Sequence, residues 1–64
     1  MKKIIRIKDH YGVKNDIEIS PDFDIRKGDK VHVQYSILDV TQVMYDIKEE
    51  AVYYICEVKG VNYD

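Results

Sequence analysis

Apolar and polar residues alternate one by one in several short stretches of this chain, and this period of two constrains its fold more than any other feature. Residues 5–8 alternate isoleucine with a basic residue, and residues 17–19 alternate isoleucine with glutamate. Residues 31–37 place four apolar side chains on one parity and three polar side chains on the other. Because successive side chains of a strand point to opposite faces of a sheet, these stretches predict half-buried β-strands.

Turn-forming residues separate the first three stretches. Gly12 supplies the positive φ that a hairpin loop usually needs, so residues 5–19 predict a β-hairpin. Pro21 and its aspartate neighbours end the second strand, because proline cannot donate a hydrogen bond to a ladder. The pattern of residues 25–33, Ile-x-x-Gly-Asp-x-Val-x-Val, resembles the turn and strand that open many SH3-like and other small β-barrels.

Two interpretations compete for residues 38–60. A helix at about 40–59 would place one apolar stripe on a single face, and no Gly, Pro or Asn occurs between Lys30 and Lys59 to form a tight turn. Against a helix, many of these residues are β-branched or aromatic, and each costs up to roughly 0.7 kcal/mol relative to alanine in a helix. A hairpin that turns near residues 48–49 instead pairs Tyr45 with Val52 and Val43 with Tyr54.

We therefore predict an all-β fold of five antiparallel strands, near residues 3–8, 14–19, 30–37, 41–47 and 51–58. Closing such a sheet protects its edges, so the expected architecture is a small SH3-like, partly open barrel formed by residues 1–64 as a single domain. The alternative is an α+β fold, in which a three-stranded antiparallel sheet is covered by one C-terminal helix at about 40–59.

Size and composition limit the classes of protein to which this chain can belong. A chain of 64 residues buries only about 60% of its unfolded surface, so oligomerisation or ligand binding is expected to add stability. The single Cys56 has no intrachain partner, and no apolar run is long enough to span a membrane, so we expect a cytoplasmic protein. The net charge of −2 excludes a simple polycation that coats nucleic acid.

We predict no catalytic, cofactor-binding or metal site. The three glycines are isolated, so none begins a phosphate-binding loop. His10, His32 and Cys56 fall on three different elements without the paired spacing of zinc ligands. Cys56 shares the parity of Tyr54 and is expected to be buried and inert, and adjacent acids such as Glu49 and Glu50 are expected to be solvated at a turn tip. The chain is expected not to be an enzyme.

The first of two candidate surfaces is basic. Cationic and aromatic side chains on a small β-barrel are what single-stranded nucleic-acid binding uses. The residues that could make such contacts are Lys2, Arg6, Lys8, Tyr11, Lys14, Arg26, Lys27 and Lys30. The simpler alternative is that these cations are solvated and balance neighbouring acids.

The second candidate surface is apolar. Tyr53 and Ile55 have the opposite parity to Val52, Tyr54 and Cys56, so one of these two sets must face away from a closed interior. Tyr53 and Ile55, with Met44 and Val40 beside them, form the predicted partner surface. In the alternative, residues 20–29 fold over this surface through Phe23 or Ile25.

These features predict a non-enzymatic small binding module that acts through protein–protein contact, either with a partner or with itself as a homo-oligomer. Its size suits an accessory or regulatory protein of a mobile element. The alternative function is a nucleic-acid-binding small β-barrel that uses the basic N-terminal hairpin. No cofactor and no membrane partner are expected.

Overall fold

A computed structural model of the chain describes residues 1–8 and 14–61, and these residues form five strands. The strands are β1 (Lys2–Lys8), β2 (Lys14–Ile19), β3 (Lys30–Val33), β4 (Ser36–Asp46) and β5 (Ala51–Val61). The all-β prediction is confirmed, since about 69% of the described residues are in strands and none is in a helix. Consequently no helix in these two ranges is long and apolar enough to cross a membrane.

The strands form one curled sheet, a half-barrel, in the order β2-β1-β5-β4-β3. Strands adjacent in the chain are neighbours everywhere except at β2 and β3, where the barrel stays open. The prediction of five antiparallel strands is wrong at one pair, because β1 and β5 are parallel. Direction reverses at each successive strand, so the first and fifth strands point the same way and must pair in parallel.

The β4–β5 hairpin replaces the alternative helix at 40–59, which is wrong. The predicted pairs are confirmed, with Val43 opposite Tyr54 and Tyr45 opposite Val52. Asp46 substitutes for the missing turn glycine, because its carboxylate accepts a hydrogen bond from the Glu49 N–H at 3.0 Å. Glu50 adopts a φ of 54° in the same turn. The composition of β-branched and aromatic residues therefore outweighs the helical spacing of the apolar positions.

The predicted third strand at 30–37 is divided by a turn. β3 ends at Val33, which pairs directly with Ser36 at the start of β4. The two residues between them form the hairpin turn, and Gln34 has a φ of 53°. Neither is glycine or asparagine, so the residue types that usually mark a two-residue hairpin are missing here.

Two irregularities bend the sheet around the middle of β4. The Gly28 N–H donates to the Val40 carbonyl at 2.8 Å, and the Val40 N–H donates to the Asp29 carbonyl at 2.9 Å. Gly28 has a φ of 95°, so two residues oppose one in the manner of a glycine β-bulge. On the other side of β4, the pairing with β5 shifts register between Val40 and Gln42.

The core fills the concave side of the curled sheet. Its buried cluster consists of Ile5, Leu38, Val40, Val52, Tyr54 and Cys56. Ile25, from the connection between β2 and β3, packs against this cluster from the open side. The half-barrel therefore has one apolar interior and a convex face formed by the side chains of the opposite parity.

Candidate interaction surfaces

A row of apolar side chains crosses the convex face from β1 to β4. Ile4 lies opposite Tyr53, and Tyr53 lies opposite Met44 on its other side. Ile55, the next residue of this parity on β5, pairs with Arg6 and Gln42. We call Ile4, Met44, Tyr53 and Ile55 the convex patch. Ile4 was not among the residues predicted for this surface, although two consecutive isoleucines at positions 4 and 5 indicate a strand with apolar side chains on both faces.

Arg6 covers part of the convex patch. Its guanidinium lies 4.3 Å from the centroid of the Tyr53 ring, and it donates to both carboxylate oxygens of Asp16, at 2.8 and 2.9 Å. These hydrogen bonds raise the pKa of Arg6 above its ordinary value. Ile55 beside it is 9% exposed, whereas Met44 is 40% exposed. The accessible part of the patch therefore lies toward β4.

Val40 does not belong to the predicted partner surface, because it is 1% exposed within the concave core. Counted along an uninterrupted strand, Val40 and Met44 would share a face. The register shift between Val40 and Gln42 adds one residue and reverses the parity. The Thr41 hydroxyl fixes this irregularity by donating to the Ile55 carbonyl at 3.1 Å.

Residues 20–29 do not cover the convex patch. Ile25 packs against the concave core, and the Lys3 ammonium donates a hydrogen bond to the Phe23 carbonyl. Lys3 has the parity of Ile5, which is a core residue, so this contact also lies on the concave side. The described contacts of this connection therefore lie on the concave side, away from Tyr53 and Met44.

A groove of about 500 Å³ opens on the concave side, between the β2 and β3 ends of the sheet. Its apolar lining comes from Ile5, Ile19, Phe23, Ile25, Val31 and Val33, and its polar rim includes Asp24, Asp29, Lys30 and His32. Sequence periodicity predicted these side chains as core or loop anchors. The groove exists because β2 and β3 do not pair, and alternation within a strand carries no information about that gap.

The predicted basic contacts are divided between two regions. Lys2, Arg6 and Lys8 lie on β1, whereas Arg26, Lys27 and Lys30 lie in the turn before β3 and at its start, on the far side of β5 and β4. Tyr11 and the Lys14 side chain lie outside the part of the chain that is described. The structure therefore does not join the described cations into one stripe along the sheet.

Several of these cations have acidic partners. Besides the Arg6–Asp16 pair, the Lys30 ammonium lies 2.6 Å from the Asp39 carboxylate, which Lys59 approaches to 4.0 Å on its other oxygen. Arg26 lies 3.4 Å from Asp24, and both side chains are more than three-quarters exposed. Exposed pairs of this kind contribute little to stability, but they lower the positive potential available to a phosphate.

Cys56 is fully buried, and its thiol contacts the Tyr54 carbonyl at 3.4 Å. Burial raises the pKa of Cys56 to about 11, which opposes formation of the nucleophilic thiolate. His32 is exposed on β3, and His10 lies outside the described residues. Across residues 1–8 and 14–61, no group of three or more His, Cys, Asp and Glu side chains could hold a metal ion.

Comparison with family models, curated proteins and solved structures gives no match for this chain.

Proposed function

We propose that this chain is a non-enzymatic small binding module that acts through protein–protein contact at the convex patch. The observation that carries this proposal is the row of Ile4, Tyr53 and Met44 on the solvent side of a single-layer sheet. The connection from β2 to β3 packs on the opposite face, so it leaves this row available.

The chemistry of the patch suits a protein partner. Tyrosine and methionine are enriched at protein interfaces, because tyrosine supplies a large area at low entropic cost and methionine adapts its shape. The stacking of Arg6 and its ion pair with Asp16 hold the Tyr53 ring in place before binding. A preorganised aromatic side chain loses less conformational entropy when it enters a pocket of the partner.

Three finer assignments accompany this proposal. We assign the half-barrel to the SH3-like class, on the support of the residue 25–33 pattern and the sequential strand order. The cytoplasm suits a chain with one buried free thiol, because a reducing compartment keeps it unpaired. An accessory or regulatory role, as on a mobile element, suits a small chain whose action is to occupy another protein.

Nucleic-acid binding through the basic residues stays a prediction with weaker support. The ion pairs of Arg6, Lys30 and Arg26 reduce the number of cations available to phosphates. Binding of single-stranded oligonucleotides at low salt, with a log–log salt slope near −0.7 per neutralised phosphate, would favour it over the protein-binding proposal.

The proposal predicts that Tyr53→Ala weakens binding of the protein partner far more than it weakens the fold. The partner is first identified by cross-linking from a photoreactive residue at position 44, in nuclease-treated extract of the source organism, and is then purified for titration. Truncation of an aromatic interface anchor costs about 2 kcal/mol or more, so the dissociation constant should rise at least about 30-fold. Ile55 is kept, because its burial would make an alanine substitution destabilise the fold.

Tyr35→Ala is the matched control. Tyr35 is 62% exposed in the β3–β4 turn, away from the convex patch, so the same truncation should leave the dissociation constant unchanged. Circular dichroism checks that both variants are folded at the assay temperature. Equal affinity of wild type and the Tyr53 variant, or an equal loss in the Tyr35 variant, would refute the patch as the binding site.

A further inference from the structure

The second half of β4 has a free edge. β3 pairs with β4 only as far as Lys30 opposite Asp39, and the Val40 N–H and carbonyl are bonded to the Gly28–Asp29 bulge. From Thr41 onward, β5 lies on one side of β4, and no other described strand lies on the other side. The backbone along this edge is a template for a further strand.

This edge lacks the protection that sheet edges normally carry. Residues 40–45 read Val-Thr-Gln-Val-Met-Tyr, without a charge, a proline or a glycine. Met44 and Tyr45 are 40% and 64% exposed. The terminal strands of the sheet differ, because β2 carries Asp16 and Glu18 and β3 carries Lys30. Natural edge strands use such charges to prevent pairing with other chains, and segments without charges pair readily.

We propose that a second copy of this chain pairs antiparallel along Thr41–Tyr45, so that two half-barrels form one continuous ten-stranded sheet about a two-fold axis. With the axis at Val43, Gln42 lies opposite Met44 of the other copy, and Thr41 lies opposite its Tyr45. Only uncharged side chains then meet. Val43 meets its own copy on the axis, and every other residue pair occurs twice, as a closed two-fold interface requires.

Charge complementarity at the ends of this pairing favours a second copy over an unrelated strand. The incoming β4 lies in line with β3, so its hairpin tip comes to rest beside the turn before β3. The tip, residues 46–50, contains three acids and one lysine, whereas the turn, residues 26–30, contains three bases and one aspartate. The Arg26 and Lys30 side chains are 79% and 69% exposed, so incoming acids can reach them although each already has an acidic partner, Asp24 or Asp39.

The inference goes beyond the proposed function, since it concerns the β4 edge rather than the convex patch. The pairing is short, so the dimer is expected to be weak and to form as the concentration rises from about 1 µM to about 1 mM. Sedimentation equilibrium measures the mass over this range. Amide hydrogen exchange at residues 41–45 should slow at high concentration and recover on dilution.

A charge-swap experiment tests the edge directly. Gln42→Lys with Met44→Lys, and separately Gln42→Glu with Met44→Glu, place like charges opposite each other in a self-pair, so each double variant should be monomeric. An equimolar mixture of the two should dimerise, because opposite charges then meet. Tyr53→Ala is the control for the convex patch, and Tyr53 lies outside the proposed pairing, so this variant should dimerise like wild type. Circular dichroism confirms that each chain is folded. If a charged variant does not fold, amide hydrogen exchange of the wild type still tests the pairing.

A wild-type chain that remains monomeric up to 1 mM would overturn the inference. A dimer whose protected amides lie outside residues 41–45, or one that both charged double variants still form alone, would overturn it as well. A monomer that still binds its protein partner through Tyr53 would leave the proposed function standing. If the dimer forms in this way but no protein partner binds through Tyr53, the proposed function is refuted and the pairing along Thr41–Tyr45 is supported.

Discussion

At the scale of single residues, the buried Cys56 thiol makes the stability of the fold depend on pH. Its side chain is fully buried, and burial raises its pKa from an ordinary 9.0 to about 11. Burial also raises the pKa of Tyr54 beside it. An unfolded chain releases these protons at lower pH than the folded chain does, so the folded state loses relative stability as the pH rises through this interval.

We therefore predict that the free energy of unfolding is steady below about pH 9 and falls between pH 9 and about 11. Urea unfolding at several pH values, followed by circular dichroism, measures this change. Cys56→Ala should show a shallower fall, because Tyr54 alone then contributes. A thiol reagent at pH 7 should modify wild type only as fast as the chain opens. Rapid modification of the folded chain, or an identical pH profile in the variant, would contradict this account.

Val40 shows why single residues were harder to place than strands. The alternation of the sequence gave it the parity of Met44, and that inference holds for an unbroken strand. One extra residue in the ladder after Val40 moves the two side chains to opposite faces. The Thr41 hydroxyl that bonds to the Ile55 carbonyl is a long-range contact, so no local pattern signals the irregularity. Tyr53 and Met44, beyond the shift, both lie on the convex face.

At the scale of elements, the β4–β5 turn contains a residue with a strained backbone conformation. Glu50 has a φ of 54°, a region where a Cβ costs roughly 1–2 kcal/mol. Its carbonyl accepts a hydrogen bond from the Lys2 N–H, which connects the turn to the start of β1. Asp46 and Glu50 together make a turn from residues that do not usually mark one.

Glu50→Gly should stabilise the protein by about 0.5–1 kcal/mol, because glycine reaches this φ without strain. Glu50→Ala removes the same charge but keeps the Cβ, so it should show no comparable gain. Glu49→Gly should be neutral or slightly destabilising, since Glu49 does not have a positive φ. Urea midpoints measure all three. If Glu50→Ala gains as much stability as Glu50→Gly, the gain comes from removal of the charge and not from relief of backbone strain.

The strands themselves were largely predictable, and the turns were less so. Period-two alternation located β1 and β2, and the residue types of 43–54 gave the correct pairs in the second hairpin. The break at Gln34 was missed, because a positive φ at glutamine is imposed by the pairing of Val33 with Ser36 rather than by residue type. Sequence patterns report side-chain direction well, and they report backbone strain poorly.

At the scale of the whole molecule, one small core holds five strands together. A chain of 64 residues has a free energy of unfolding of about 3–10 kcal/mol. Leu38 is completely buried, and the core cluster it belongs to draws residues from β1, β4 and β5. The loss of one such side chain therefore weakens the packing of these three strands together.

Leu38→Ala should cost about 2–5 kcal/mol and leave a large share of the chain unfolded at 37 °C. Ile47→Ala removes a side chain that is 76% exposed in the turn, so it should change stability by less than about 0.5 kcal/mol. Thermal unfolding by circular dichroism at about 10 µM compares the two. A wild-type-like Leu38 variant would mean that the core is not shared in this way.

The alternation of residues within one strand does not predict which strands pair with each other or where the sheet stays open. The parallel pair follows from counting, because five strands of alternating direction bring the first and fifth together in parallel. The gap between β2 and β3 does not follow, and neither does the groove beside it. Both depend on how far the sheet curls, and the contacts near the open side, such as Gly28 with Val40 and Ile25 with the core, join residues distant in the sequence.

The parallel pairing of β1 with β5 has a consequence for the synthesis of the chain. About 40 residues separate the end of β1 from the start of β5, and a ribosome needs a few seconds to add them at 5–20 residues per second. During that interval Ile5 lacks its neighbour Tyr54, which has not yet been made. The β1–β2 hairpin alone is marginally stable. The β1–β5 pairing therefore cannot form until the last strand has been synthesised.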